Sequence, residues 1–181
     1  MRRTMFPRLG AWLAVASLYV FPVNAQSWES VLETVRRRFP SVRQLSTRDL
    51  ATWLAVDPKT AERPKPVLLD TRSAEEYGVS HLPGARHADT VEAVRALGFR
   101  QSDPVVVYCS VGYRSSALAE KLSAAGWTNV WNLEGSIFAW ANEGRLVHRA
   151  GKPADEVHPY DAKWGALLKP EHHPGARVPK S

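Results

Sequence analysis

Residues 105–116 read VVVYCSVGYRSS, and this stretch decides how the rest of the chain is read. Three valines and a tyrosine, opened by Pro104, have the β-branched and aromatic composition of a buried strand. The segment RSSALAEKLSAAG (114–126), with Gly126 past its end, has the composition of a helix. Cys109, the only cysteine of 181 residues, stands where the strand hands over to the helix. A lone cysteine has no partner for an internal disulfide. It is a buried inert thiol, half of an intermolecular bridge, or a reactive thiol. The polar, glycine-containing sequence that follows favours the reactive reading. A short turn before a helix aims successive backbone N–H groups into one concavity. The helix terminus adds about half a positive charge, and together they form an anion site. A thiol at the first position of such a cradle, ahead of Ser110, Val111, Gly112 and Tyr113, has its thiolate stabilised and its pKa lowered. Gly112 can take backbone angles the turn needs. Arg114 offers a planar donor fork to an anionic substrate or braces the loop. Ser115 can donate to the thiolate or cap the helix.

Working outward, VLLD (67–70) and TNVWNL (128–133) read as further strands, with VRQL (42–45) a shorter one. The helical segments are SWESVLETVRRRF (27–39), STRDLATWLA (46–55), TVEAVRALG (90–98) and SIFAWANEG (136–144), with a short turn at SAEEYG closed by Gly78. DPKTAERPKP (57–66) and SHLPGARHAD (80–89) read as loops. Strands alternating with helices imply a parallel sheet covered on both faces, with ligands where strand C-termini meet helix N-termini. Cys109 lies at such an edge. From Arg145 the chain is proline-rich. DAKWGALL (161–168) is its one short helical candidate, and the last dozen residues are expected to be mobile.

The net charge of +6 suggests an acidic partner until its distribution is considered. Arg2, Arg3 and Arg8 precede an apolar stretch over 9–23, and Val23 and Ala25 are small residues suited to cleavage after Ala25. That order is the build of a secretory signal peptide, the other reading being a retained anchor. Its removal leaves 21 basic against 18 acidic side chains, a balance that calls for neither nucleic acid nor a membrane surface. The expected location is periplasmic or secreted. A lone thiol in an oxidising compartment needs a reason to be there.

Four ordered segments resemble the rhodanese-type sulfurtransferases. YCSVGYRSS is similar to their active loop: a cysteine, four residues, an arginine, then serine. VLLDTRSAEEYGVSHLPGARH (67–87) resembles the first motif of the family, ALAEKLSAAGWTNVWNLEGS (117–136) the helix and strand after the loop, and LEGSIFAWANEGRLV (133–147) the closing motif. The resemblance covers roughly residues 42–148. It implies an α/β rhodanese-like domain with a five-stranded parallel sheet flanked by helices on both faces. Around that domain lie the signal peptide (1–25), an N-terminal helical extension (26–41) and a C-terminal extension (149–181) that is partly disordered.

The resemblance also implies a ping-pong reaction. Cys109 is the catalytic nucleophile, and Ser110, Val111, Gly112, Tyr113, Arg114 and Ser115 form the substrate-binding cradle. Asp70 and Arg72 are supporting residues in a structural ion pair. Cys109 takes the outer sulfur of a small anionic donor such as thiosulfate, and cyanide or a thiol, including a protein thiol, removes it. No cofactor and no metal is called for. Two departures stand out: Val79–Ser80 where the family has a glycine before the histidine, and Ser136 in place of the second glycine of the closing motif. Both are expected to lie apart from the Cys109 loop. Two other functions remain open: a non-catalytic module that binds a partner or carries sulfur, and a phosphatase or arsenate-reductase-like enzyme. The second is disfavoured because Cys-based phosphatases place five residues between cysteine and arginine, where this chain has four, Ser110 to Tyr113. His81 reads as a structural hydrogen-bonder, and Glu171, His172 and His173 lack the spaced second pair of a metal site.

Overall fold

Alternation along β4 (Val105–Tyr108) organises the molecule. The computed structural model describes residues 27–57 and 59–176. The expected signal segment, Pro58 and residues 177–181 lie outside them. Val106 and Tyr108 face one apolar layer, while Val105 and Val107 face another. All four are fully buried, as expected for a central strand of a parallel sheet. On the first face lie α1 (Trp28–Arg38), α2 (Thr47–Ala55) and α6 (Ser136–Asn142), contributing Val31, Leu50, Trp53, Ile137 and Phe138. On the second lie α4 (Val91–Ala96) and α5 (Tyr113–Ala124), contributing Val94, Leu118 and Leu122.

The sheet has five parallel strands in the order β1 (Gln44–Leu45), β5 (Val130–Leu133), β4, β2 (Val67–Asp70), β3 (Arg86–His87). Four of them match the strand segments expected from composition. The fifth, β3, falls in the segment read as a loop. It is only two residues long and is defined by its register on Leu69 and Asp70. Most helices open on a hydroxyl cap that satisfies an otherwise unpaired N–H: Ser27, Ser46, Ser73 and Thr90. The α5 helix differs. Its N-cap is Gly112, with no side-chain cap, so its terminus opens toward Cys109. The helix α3 (Ala74–Val79) runs through Gly78 instead of closing there. Among the described residues no helix is long and apolar enough to cross a membrane.

The C-terminal extension departs from expectation over the part described. Residues 147–154 form an antiparallel hairpin of β6 (Val147–Arg149) and β7 (Lys152–Ala154), turned by Ala150 and Gly151 with φ of 49° and 76°. A short helix α7 (Ala162–Gly165) and a 3-10 turn at Pro170–His172 follow. Val157, Leu167 and Leu168 are buried in the first core layer, which holds this segment down. Asn142 Nδ2 donates to Leu167 O at 2.8 Å, and Lys169 N donates to Asn142 Oδ1 at 2.8 Å. His172 Nδ1 and His173 Nε2 bond backbone carbonyls at 2.9 and 3.1 Å, so both rings serve to tie the tail. Residues 170–176, within the last dozen expected to be mobile, thus carry defined contacts to the rest of the fold. Apolar burial and carbonyl pairing supply what proline-rich composition concealed.

Candidate active site

The residues that end β4 and begin α5 form a cup. Cys109 is 1% exposed. Gly112 N–H donates to its Sγ at 3.1 Å. Gly112 has φ of +110°, a conformation that L side chains rarely adopt, and a Cβ there would meet Asn132 Nδ2 at 3.2 Å. Backbone conformation and close approach thus both require glycine at this position. The N–H groups of Val111, Tyr113 and Arg114 find no acceptor among the described residues, and they belong to the loop and first turn of α5. They are donors of the kind that an anion at a helix terminus meets.

Burial pushes the Cys109 thiol pKa up, but the groups around it outweigh burial. The Ser115 hydroxyl and N–H, the Arg114 charge and the Gly112 N–H bring it below its ordinary value. Ser115 Oγ has a single proton, and it goes to Asn132 Oδ1 at 2.6 Å. Asn132 in turn donates to Gln44 Oε1 at 2.7 Å. Among the described residues the Gly112 N–H is the donor that meets hydrogen-bond geometry to the sulfur.

Arg114 braces the loop, the second of its two expected roles. Its Nη1 and Nη2 donate to Glu76 Oε2 and Oε1 at 2.8 and 2.7 Å, and Nη2 also donates to Ser110 Oγ at 3.0 Å. Ser110 Oγ donates to Glu76 Oε1 at 3.2 Å. Glu76 is buried at the start of α3, where it also receives the Ser73 N–H in a capping box. Burial opposes ionisation of Glu76, but Arg114 and the Ser73 N–H bring its pKa down to about 2. Glu76 is the main residue that the sequence reading missed. Its S-x-x-E spacing marks a helix start, but nothing local marks its pairing with a residue 38 positions away.

Asp70 and Arg72 form the expected structural pair. Arg72 Nη2 and Asp70 Oδ2 are 2.7 Å apart, and both side chains are fully buried. Arg72 Nη2 also reaches Ser80 O at 2.5 Å. Ser80, one of the two departures, is thus part of this assembly through its backbone. Tyr108 accepts the Leu82 N–H at 3.0 Å, and burial with the nearby Asp70 carboxylate pushes its phenol pKa well up.

The other departure corrects an expectation. Ser136 does not lie apart from the loop: its Oγ accepts the Cys109 N–H at 3.1 Å and donates to Leu133 O at 3.0 Å. It has φ of 50°, the left-handed region that explains a glycine at this position, and here two hydrogen bonds offset the strain. The carbonyls of Cys109 and Ser110 accept the Ile137 and Phe138 N–H groups at 3.2 and 3.1 Å, tying the loop to α6. His81 serves structurally, with Nδ1 3.1 Å from Tyr77 O and its ring stacked on Tyr77.

A cavity of about 160 Å³ opens above the sulfur, lined by Cys109, Ser110, Val111, Tyr113, Arg114, Tyr160 and Trp164. Tyr160 and Trp164 come from the C-terminal extension, and the sequence carried no signal that they would reach the loop.

A rhodanese-like domain model matches residues 57–143. The thiosulfate sulfurtransferase GlpE of Pseudomonas fluorescens is 32% identical over 75 residues, covering 41% of this chain and 69% of that protein. The adenylyltransferase and sulfurtransferase UBA4 of Candida albicans is 28% identical over 48% of this chain. This chain spans only 22% of the Candida albicans protein's length and 20% of the Meyerozyma guilliermondii UBA4. Among solved structures, a thiosulfate sulfurtransferase from Pseudomonas aeruginosa superposes with a TM-score of 0.55 at 22% identity, over 69% of this chain and 23% of that one, a likeness of fold. With the parallel sheet, the cysteine cup at its edge and these relatives, the chain belongs to the rhodanese-like family.

Proposed function

We propose that this chain transfers a sulfane sulfur through a persulfide on Cys109, in the periplasm or outside the cell. The carrying observation is the Gly112 N–H on Cys109 Sγ at 3.1 Å, at the open terminus of α5. In the first half-reaction the Cys109 thiolate attacks the outer sulfur of a donor. The S–S bond to the cysteine forms as the donor's own S–S bond breaks, and with thiosulfate the electron pair leaves on sulfite. The persulfide keeps the negative charge, which the loop N–H groups are aimed to hold. In the second half-reaction cyanide or a thiolate attacks the outer sulfur, and the Cys109 thiolate departs. Arg114, pinned by Glu76, keeps the loop in shape and lends its charge to the thiolate. Asp70 and Arg72 support the strand ends from below. Export rests on the residue order of positions 1–25, and a mature N-terminus near Gln26 is the expected product.

The test is mass spectrometry of the purified protein. Thiosulfate is expected to add one sulfur, roughly 32 Da, to Cys109, and cyanide to remove it as thiocyanate. Cys109→Ser is expected to lose both the adduct and turnover. A wild-type protein that gains no sulfur from any donor would leave the binding-module reading in its place. Robust aryl phosphate hydrolysis lost in Cys109→Ser would favour a phosphatase.

A further inference from the structure

Given sulfur transfer at Cys109, the C-terminal extension says which donor the cup is shaped for. We infer that Tyr160 and Trp164 form a fixed aromatic wall that selects a singly charged organic sulfur donor with a flat apolar body, an aryl thiosulfonate or similar compound, over inorganic thiosulfate. Three observations carry this.

The first is the lining. Beside Cys109, Ser110 and Arg114, the walls of the cavity are Val111 and Tyr113 of the loop and Tyr160 and Trp164 of the C-terminal extension. Tyr113 and Tyr160 are 42% and 49% exposed, large aromatic surfaces left at the mouth of a site. The second is charge. The Arg114 guanidinium spends its fork on Glu76 and Ser110. Glu76, with a pKa of about 2, is fully ionised and offsets part of that charge. An incoming dianion therefore meets the Cys109 thiolate with backbone dipoles and an already paired guanidinium to offset repulsion, and a monoanion is opposed less.

The third is rigidity. Tyr160 has φ of 66°, a strained value for tyrosine, and its ring lies 4.8 Å from Arg114 Cζ. Asp161 caps α7 by accepting the Trp164 N–H at 2.8 Å. His173 and the buried Leu167 and Leu168 pin the segment behind it. Trp164 also contacts the core layer that holds α1. The wall is built in place, so a flat body packed against Tyr160 and Trp164 would present its sulfur to Cys109 without an ordering step. The thiolate takes the terminal sulfur of R–SO2–S−, the S–S bond of the donor breaks, and the sulfinate R–SO2− leaves with its electron pair.

The experiment measures kcat/KM, with cyanide as acceptor, for benzenethiosulfonate, methanethiosulfonate and thiosulfate on the full chain. The decisive quantity is the benzene-to-methane ratio in each variant relative to wild type, in which the intrinsic reactivities of the donors cancel. Tyr160→Gly removes the ring and suits the left-handed backbone, so the fold is expected to persist, as a melting curve would verify. It is expected to lower the ratio about fivefold to tenfold, the scale of one aromatic stacking contact, and Tyr160→Phe to restore it. Trp164→Ala is expected to act in the same direction. Wild type is expected to use thiosulfate least well of the three. An unchanged ratio in Tyr160→Gly and Trp164→Ala, or a preference for thiosulfate, overturns the inference and leaves sulfur transfer standing. Failure of all three donors to load Cys109 overturns the sulfur-transfer reading itself, and this inference with it.

Discussion

Two arginine–carboxylate pairs flank the Cys109 loop, and they differ in almost every physical respect. Asp70–Arg72 is local in sequence and fully buried, with both partners at 0% side-chain exposure. Glu76–Arg114 joins residues 38 apart and stands at the rim, with Arg114 37% exposed and Glu76 nearly covered. The first pair props up the end of β2. The second fixes the shape of the cup and sets its charge. A buried pair is costly to break because the survivor is stranded in a poorly polarisable interior. A rim pair is partly solvated, so breaking it costs less in stability but reaches the chemistry directly.

Breaking the buried pair has the largest expected effect. Arg72→Met leaves Asp70 uncompensated, and the expected loss is about 3–5 kcal/mol, read as a shift in denaturant midpoint. The double variant Asp70→Asn/Arg72→Met is expected to recover much of it, since no buried charge then remains. A single variant as stable as wild type would show that Asp70 is solvated or protonated without its partner.

The rim pair is expected to respond less in stability and more in selectivity. Glu76→Gln should cost about 2 kcal/mol. It also releases Arg114 from charge cancellation, so KM for thiosulfate is expected to fall relative to that for a monoanionic donor. A purely structural role would lower stability without moving that ratio. The pH dependence follows from the same carboxylate. Its folded pKa of about 2 lies below the ordinary 4.5, so its stabilisation is complete above about pH 4.5 and is lost as pH falls through 2. Comparing acid unfolding of wild type and Glu76→Gln isolates this contribution, because the variant lacks the titration.

Ser136 gives the smallest effect and an unusual order of variants. Ser136→Ala keeps the strained φ of 50° and strands the Cys109 N–H, at an expected cost of about 1–2 kcal/mol. Ser136→Gly loses the same acceptor but takes the backbone without strain, so it should melt higher than the alanine variant. The reverse order would mean that the left-handed conformation is not strained in this setting.

These contrasts also explain what could be read from sequence. The strand VVVY and its helix were legible because β-branched burial and helical spacing are local signals. Asp70–Arg72 was expected through the resemblance to the rhodanese-type family, not from its spacing. The two-residue β3 has no composition of its own and exists through pairing with Leu69 and Asp70. The β6–β7 hairpin turns on Ala150–Gly151, where an Asn-Gly pair would have announced it. Glu76 carries the S-x-x-E spacing of a helix start, and its second role depends on tertiary approach. Tyr160 and Trp164 lie in a proline-rich tail whose three buried apolar anchors, Val157, Leu167 and Leu168, are too sparse to form a periodic pattern. Cys109, its glycine and its arginine were legible as a cup, and the parts of the site contributed by distant segments were not.

The central claim is that this cup makes a buried thiol easier to ionise. It is tested most directly by the rate of Cys109 alkylation with iodoacetamide as a function of pH, on the folded wild-type protein with a cysteine peptide alongside. The cup lowers the thiol pKa, so the rate is expected to reach half its plateau at a lower pH than the peptide does, near 8.5. A midpoint at or above that of the peptide would mean that burial outweighs the Ser115, Arg114 and Gly112 contacts, and would contradict the claim.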